Sequence, residues 1–195
     1  MKKLLINLKV LTFLMTGAVS MSAKGNTRHQ WVFFDLGDTI VNTKDKKGFH
    51  YFDGAKAYLE SLRKMGLHIG IISNIPETFG MSYEEKLQTL KTLIQSKWND
   101  KEQFDWSLFD EILLPLNNNE LKPADILFLR ALSRAGECPS IYISENEREV
   151  LKAESMGIAG HLFDKESQGM YVPLEILESY IDENYARPIP SECIL

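Results

Sequence analysis

Hydrophobic and polar positions divide the chain into two kinds of run. Short apolar runs at residues 31–35, 68–73, 109–114, 140–144 and 160–163 are typical of buried strands in a parallel sheet. Runs with apolar residues at helical spacing occupy residues 55–65, 83–98, 124–135, 147–156 and 173–185. Strands that alternate with helices in this way predict right-handed crossovers. We therefore expect an α/β fold with a doubly wound parallel sheet and helices on both of its faces.

Turn-forming residues indicate where several elements begin and end. Gly66 and Gly157 are expected to stop the first and the fourth helix. The pair Lys122-Pro123 is expected to open the third helix, since proline suits a first helical turn. Residues 42–53 are polar and aromatic and contain a glycine, so they predict a loop or a small hairpin flap.

The first residues follow a different pattern. Lys2 and Lys3 give a positive start, residues 10–19 are largely apolar, and small residues follow. This is typical of a secretory signal peptide cut after Ser20, Ser22 or Ala23, and the apolar run is short for a membrane span. The alternative is an uncleaved N-terminal anchor. We expect a signal peptide at residues 1–23, a single domain at residues 24–195, a periplasmic location and no stable membrane span after cleavage.

Composition narrows the possible partners. The chain has 195 residues, of which 44% are hydrophobic and 25% charged, as expected for one globular domain with a proper core. Its net charge of -5, without a Lys/Arg run after the first residues, gives no indication of nucleic-acid binding. Cys138 and Cys193 could pair in an oxidising compartment or remain free thiols, and no Cys/His spacing suggests zinc.

Chemically active side chains recur where the expected strands end or the helices begin. Asp35 ends the first strand, Ser73 and Asn74 end the second, Lys122 precedes the third helix, and an acidic cluster at residues 145–149 follows the fourth strand. The carboxyl ends of parallel strands meet at the edge where ligands bind. A carboxylate nucleophile, a hydroxyl, a cation and carboxylates for a hard metal together suit the handling of a phosphoryl group.

Each of these residues also has a purely structural interpretation. Asp35 could cap the segment that follows it, and Ser73 with Asn74 could form an ordinary strand-end turn. Lys122 could be a solvated lysine at a helix start. The acidic cluster could simply be a first helical turn that the helix dipole favours.

Four motifs in this order resemble those of the haloacid dehalogenase-like (HAD) superfamily. They are FDLGDT at residues 34–39, IISN at 71–74, LKP at 121–123, and IYISE at 141–145 followed by Glu149, Ala153 and Gly157. The resemblance covers the chain from Trp31 to about Phe163. It implies a HAD-like Rossmannoid three-layer sandwich. Residues 42–53 and 115–120 are too short for a large cap domain, so a capless form is expected.

The resemblance also implies a role for each matching residue. Asp35 would be the nucleophile that forms an aspartyl-phosphate and would bind Mg²⁺, together with the Gly37 carbonyl, Glu145 and Glu149. Ser73 and the Asn74 N–H would bind the phosphoryl oxygens, Lys122 would neutralise its charge, and Thr39 would support the loop.

Two departures from the family pattern lower the expected activity. Family phosphatases carry a second aspartate, two residues after the nucleophile, that acts as general acid and base. Gly37 stands there in this chain, and an aspartate follows as Asp38, which could act in its place or could brace the loop. In addition, Ser144 and Glu145 stand for the usual Gly-Asp, and the longer glutamate moves its carboxylate by one methylene.

The resulting expectation is an exported, Mg²⁺-dependent hydrolase of the phosphatase type. We expect a phosphorylated substrate, which could be large because a capless site is open to solvent. The alternative is a catalytically weak or inactive HAD-like protein that binds a phosphorylated ligand or a protein partner. A phosphoacceptor receiver domain fits less well, because in receiver domains the acidic cluster and the acceptor aspartate lie on different strands.

Overall fold

The computed structural model of the protein describes residues 30–164, 170–184 and 193. The expected signal peptide, at residues 1–23, lies outside this part of the chain. Among the described residues, no helix combines the length and the apolar character that a membrane crossing requires.

A parallel sheet of five strands forms the centre of the fold. Its strands are β1 (Trp31–Phe34), β4 (His68–Ile72), β5 (Glu111–Leu113), β6 (Ser140–Ser144) and β7 (Ala159–Leu162), in the order β5-β4-β1-β6-β7. β1 lies in the middle and pairs with β4 on one side and β6 on the other. The order places later strands on both sides of β1, which confirms the doubly wound α/β topology expected from the sequence.

Helices cover both faces of this sheet. They are α1 (Ala55–Lys64), α2 (Tyr83–Lys97), α3 (Asp125–Ala135), α4 (Glu147–Ser155) and α5 (Leu177–Asn184). One core contains residues of α1, α2 and α5, and a second core contains residues of α3 and α4. β1 sends Val32 and Phe34 into the first core and Phe33 into the second, which explains why its apolar run is continuous rather than alternating.

The flap predicted at residues 42–53 is a short antiparallel hairpin. Its strands are β2 (Val41–Asn42) and β3 (His50–Tyr51). No large cap domain is present in the described residues, as expected. The elements agree with the sequence-based expectation to within a few residues.

The start of α3 corrects one expectation. Pro123 does not lie in the first turn of this helix, because Ala124 is the N-cap residue and the helix begins at Asp125. The peptide bond between Lys122 and Pro123 is cis. Lys122 therefore belongs to the loop that precedes α3.

A disulfide joins Cys138, just before β6, to Cys193 in the C-terminal segment. The sequence left pairing and free thiols open, and the structure decides for pairing. The Cα atoms of the two cysteines are 5.3 Å apart, within the range that a disulfide spans.

Lys86 is a lysine on the buried face of α2, which it shares with Leu90 and Ile94. Within the part of the chain that the structure describes, its terminal nitrogen is fully buried and has no hydrogen-bond partner. Leaving a buried polar group unpaired costs about 1–3 kcal/mol. We expect Lys86→Met, which keeps the length of the side chain, to raise the free energy of unfolding in urea by roughly that amount.

An exposed lysine provides the control for this stability prediction. Lys46→Met should change the free energy of unfolding by no more than about 0.5 kcal/mol, because surface substitutions have small effects. A Lys86→Met variant less stable than the wild type would show that the buried nitrogen is needed by the fold.

Candidate active site

Asp35 lies at the carboxyl edge of the sheet because β1 ends at the preceding residue. Phe34 pairs with Ile71 of β4 and with Ile143 of β6, so Asp35 emerges between the ends of two neighbouring strands. Its backbone N–H donates to the carbonyl of Ile143 at 2.9 Å. This bond continues the parallel ladder by one residue and fixes where the carboxylate begins.

Lys122 is the buried centre of the site. Its side chain is only 1% exposed, and its Nζ lies 2.7 Å from Asp35 Oδ1 and 2.7 Å from Glu149 Oε2. The same Nζ donates to the hydroxyl of Tyr142, also at 2.7 Å. The structural alternative, a solvated lysine at a helix start, is therefore wrong. One cation is shared by two carboxylates at a position that is shielded from solvent.

The side chain of Asn74 fixes the backbone of Lys122. Its Nδ2 donates to the Lys122 carbonyl at 3.0 Å, and its Oδ1 accepts from the Lys122 N–H at 2.7 Å. The sequence-based interpretation gave Asn74 only a backbone role toward a phosphoryl group. Its amide also holds the lysine loop against the end of β4, a contact between residues 48 positions apart that no local pattern reveals.

Tyr142 is a site residue that the sequence analysis missed. Its hydroxyl donates to Glu149 Oε2 at 2.7 Å and accepts from Lys122. Burial, and then the negative charges of Asp35 and Glu149, hold the pKa of the tyrosine well above its usual value, so it remains a neutral donor. A lone tyrosine between two isoleucines of a predicted buried strand was the available signal, because a buried phenol normally needs a partner.

Burial dominates the electrostatics of Asp35. It raises the pKa of this carboxyl to about 7, against the lowering effect of Lys122. The charges of Glu145 and Glu149 contribute to this raised value. The carboxylate is therefore desolvated and titrates near neutral pH, as an activated side chain in an enzyme site often does.

Glu145 is held by the loop that follows β1. Thr39, which is fully buried, donates through Oγ1 to Glu145 Oε2 at 2.8 Å. The same hydroxyl accepts from the Glu145 N–H at 3.1 Å. The pair joins the first motif to the fourth across 106 positions of sequence.

Asp38 points toward its own loop. It has a left-handed backbone with φ of 56°, and its Oδ1 accepts from the N–H and the hydroxyl of Thr43 at 3.2 and 2.9 Å. Lys44 Nζ lies 2.5 Å from its Oδ2. Although burial alone raises it, the pKa of Asp38 is lowered overall by the donors of Lys44 and Thr43. This geometry favours the loop-bracing alternative over general acid and base catalysis.

Ser73 lies at the end of β4, on the same edge of the sheet as Asp35. It is buried, and its N–H donates to the carbonyl of Leu113 at 3.1 Å. Most of the predicted site residues thus meet at one edge. Lys122 contacts both Asp35 and Glu149. Ser144 Oγ lies 3.4 Å from Oε2 of Glu145 and of Glu149, and Asp38 is turned toward residues 43–44.

Two carboxylates of the site, those of Asp35 and Glu145, suit a magnesium ion. Within residues 30–164, 170–184 and 193, no three His, Cys, Asp or Glu side chains form a ready ligand cluster. Magnesium, however, keeps several waters and binds through one or two carboxylates. Asp35 and Glu145 repel each other and could supply these two carboxylates. Glu149 instead accepts from Tyr142 and pairs with Lys122. The residues therefore fit a hydrated ion on Asp35 and Glu145.

A cavity of about 240 Å³ borders the site through Glu145 and Asp38. Its other lining residues include Asn42, Lys44, Phe52 and Phe163. A larger cavity of about 550 Å³ lies between α2 and the loop around Trp106, and none of the site residues lines it. Of these two cavities, the smaller one is therefore the one that borders the site.

The titration of Asp35 leads to a pH prediction. If Asp35 attacks phosphorus, only its ionised carboxylate can do so, and kcat/KM should then rise with pH through a limb near pH 7. Glu149 also raises this pKa, and it is engaged by Lys122 and Tyr142 rather than by a metal, so Glu149→Gln should move the limb to lower pH. The measurement is kcat/KM for an aryl phosphate between about pH 5 and pH 9. A flat profile, or a limb that moves upward in the variant, would contradict the assignment.

Comparison with known proteins supports the fold alone. No family model matches the chain, and no curated protein matches its sequence. A HAD-superfamily hydrolase from Ehrlichia chaffeensis superposes with a TM-score of 0.51 at 13% identity, over 81% of this chain and 98% of that chain. A HAD family enzyme from Bacteroides thetaiotaomicron gives 0.48 at 12% identity, over 71% and 95%. The first of these superpositions, together with the order of the strands, shows that the chain has an α/β fold of the HAD type, as the motifs predicted.

Proposed function

We propose that this protein is an exported, Mg²⁺-dependent hydrolase of the phosphatase type, in which Asp35 accepts the phosphoryl group. The observation that carries this proposal is the buried Lys122, whose Nζ lies 2.7 Å from both Asp35 and Glu149. A buried charge cluster is costly for a fold, and such clusters concentrate at functional sites. Its place at the carboxyl edge of a doubly wound sheet is where ligands bind in such folds.

The side chains of the site divide the chemistry as follows. An oxygen of Asp35 attacks phosphorus while the bond from phosphorus to the leaving oxygen breaks. Lys122 offsets negative charge on the nucleophile and the phosphoryl group, and Tyr142 with Glu149 keeps its ammonium in place. Ser73 and the Asn74 N–H hold phosphoryl oxygens. Water then cleaves the aspartyl-phosphate and restores the carboxylate.

A magnesium ion held by Asp35 and Glu145, with the Gly37 carbonyl, would supply additional charge neutralisation when bound. Export is supported by two features together. The N-terminal sequence pattern is that of a secretory signal peptide, and the Cys138–Cys193 disulfide is the kind of bond that persists in oxidising compartments. The periplasm satisfies both.

A second candidate function is a HAD-like binding protein without useful turnover. The observation in its favour is the first motif, where Gly37 carries no acid and Asp38 is tied to Thr43 and Lys44. Such a protein would retain a phosphorylated ligand at Ser73, Asn74 and Lys122 without cleaving it.

Detection of the covalent intermediate separates these two functions. The mature protein is mixed with para-nitrophenyl phosphate and Mg²⁺, quenched in acid and digested for mass spectrometry. The proposal predicts a phosphoryl group on the peptide that contains Asp35, and release of phosphate at a matching rate. Phosphate release without a modified peptide would contradict the Asp35 mechanism, and binding without release would favour the second function.

A further inference from the structure

Tyr171 lies outside the four motifs, yet it contacts the loop that follows β1. It belongs to the segment between β7 and α5, and its hydroxyl donates to the backbone carbonyl of Thr39 at 2.7 Å. The two residues are 132 positions apart in the chain, so no local sequence pattern reveals the contact. None of the roles assigned above uses this tyrosine.

The ring of Tyr171 is fixed by three other aromatic rings. It stacks on Tyr58 with ring centres 4.7 Å apart, and it lies 5.1 Å from Phe163 and edge-on to Phe34 at 6.1 Å. The hydroxyl of Tyr58 also donates to the carbonyl of Val172 at 2.8 Å, which ties the neighbouring backbone to α1. Aromatic pairs of this kind stabilise one orientation of the ring. The hydroxyl of Tyr171 is therefore held at a defined position.

The loop at residues 36–41 is closed by its own backbone. The Leu36 carbonyl accepts from the N–H of Val41 at 2.9 Å, and two further backbone bonds of 2.7 and 3.1 Å close the same loop. A loop that is braced internally in this way moves as one unit. A hydrogen bond to the Thr39 carbonyl therefore also restrains the Gly37 carbonyl, which belongs to the same loop.

Thr39 connects this loop to Glu145. Its buried hydroxyl donates to Glu145 Oε2 at 2.8 Å and accepts from the Glu145 N–H at 3.1 Å. The carbonyl of Thr39 thus contacts Tyr171 while its side chain contacts a candidate metal ligand. Residues that orient a ligating carboxylate from outside typically change metal affinity by about 10-fold to 100-fold when they are substituted.

We infer that Tyr171 is a positioning residue for the magnesium site, because it fixes Thr39 at its carbonyl. Through Thr39 it holds the Glu145 carboxylate and the Gly37 carbonyl in place. The inference rests on the proposed function, since that proposal supplies the Mg²⁺ ion. It adds to the site a residue that follows all of the motifs in the chain.

Tyr171→Phe tests the inference, because it removes the hydroxyl and keeps the ring. The Kd for Mn²⁺, a spectroscopic substitute for Mg²⁺ that is followed by electron paramagnetic resonance, should rise about tenfold. The kcat for nitrophenyl phosphate should return to the wild-type value at saturating Mg²⁺, since the reacting groups are unchanged. A lower Tm of the metal-free protein with an unchanged Kd would show a purely structural role and overturn the inference.

Tyr180→Phe is the matched control. The hydroxyl of Tyr180 donates to the carbonyl of Gly160 in β7, also at 2.7 Å, and this bond does not involve the loop at residues 36–41. The control should therefore leave the Kd for Mn²⁺ unchanged. An equal rise of the Kd in both variants would overturn the inference.

A double-mutant cycle tests the connection through Thr39. Thr39→Val removes the hydroxyl that contacts Glu145, so Tyr171→Phe should raise the Kd for Mn²⁺ less in this background than in the wild type. Fully additive effects would show that Tyr171 does not act through Thr39. If the wild-type protein itself bound no Mn²⁺, the proposed Mg²⁺ dependence would be wrong, which is a different result from an unchanged Kd in Tyr171→Phe.

Discussion

Asp35→Asn should abolish phosphate release, with a loss of about 10⁴-fold or more in kcat/KM. The variant keeps the size of the side chain and one oxygen that can accept from Lys122. It removes the carboxylate that we propose as the nucleophile, which is buried and lies 2.7 Å from Lys122 Nζ. The two other carboxylates of the site are already engaged, Glu149 by Lys122 and Tyr142 and Glu145 by Thr39. The measurement is phosphate release from nitrophenyl phosphate, with circular dichroism to verify folding.

Asp38→Asn is the matched control in the same loop. Asparagine tolerates the left-handed backbone at this position, and it can still accept from Thr43. The kcat/KM of Asp38→Asn should fall by no more than about tenfold, because the substitution weakens only the contact with Lys44. If the Asp35→Asn protein were as active as the wild type, Asp35 would not be the nucleophile. Equal inactivity of both variants would show that Asp38 takes part in the chemistry.

Gly37→Asp should raise the hydrolysis of poor leaving groups by about 10²-fold to 10⁴-fold, the usual contribution of a general acid and base. The position can take the side chain, because a Cβ there would lie 3.7 Å from Thr43 Cγ2, an ordinary contact. Its backbone is also outside the left-handed region, unlike that of Asp38. The gain should be greatest for glycerol phosphate and least for dinitrophenyl phosphate, so the dependence on leaving-group pKa should flatten.

Gly37→Asn separates proton transfer from shape. The amide matches aspartate in size but gives no proton to a leaving oxygen, so this variant should remain close to the wild type. A similar gain in both variants would attribute the effect to loop ordering. No gain in Gly37→Asp, in a protein that still forms the phosphoaspartate, would show that position 37 does not face the leaving group.

The sequence predicted the order and the type of nearly every element, because strands buried on both faces and amphipathic helices leave distinct apolar patterns. It also predicted which strand ends carry Asp35 and Ser73, since polar residues directly follow apolar runs. Local patterns could not decide what each side chain contacts. In the sequence, Asp38 and Glu149 are equally plausible as site residues. In the folded chain, Asp38 contacts Thr43 and Lys44, whereas Glu149 contacts Lys122.

The sequence by itself determined the α/β class, the strand that carries Asp35 and the presence of a lysine and an acidic cluster at the same edge. Only the tertiary structure decided the pairing of Cys138 with Cys193, the contact of Tyr142 with Lys122, and the clamp of Asn74 on the lysine loop. The physical reason is separation along the chain. Elements form from neighbouring residues, whereas these contacts join residues 20 to 55 positions apart, which only the packing of the sheet and helices brings together.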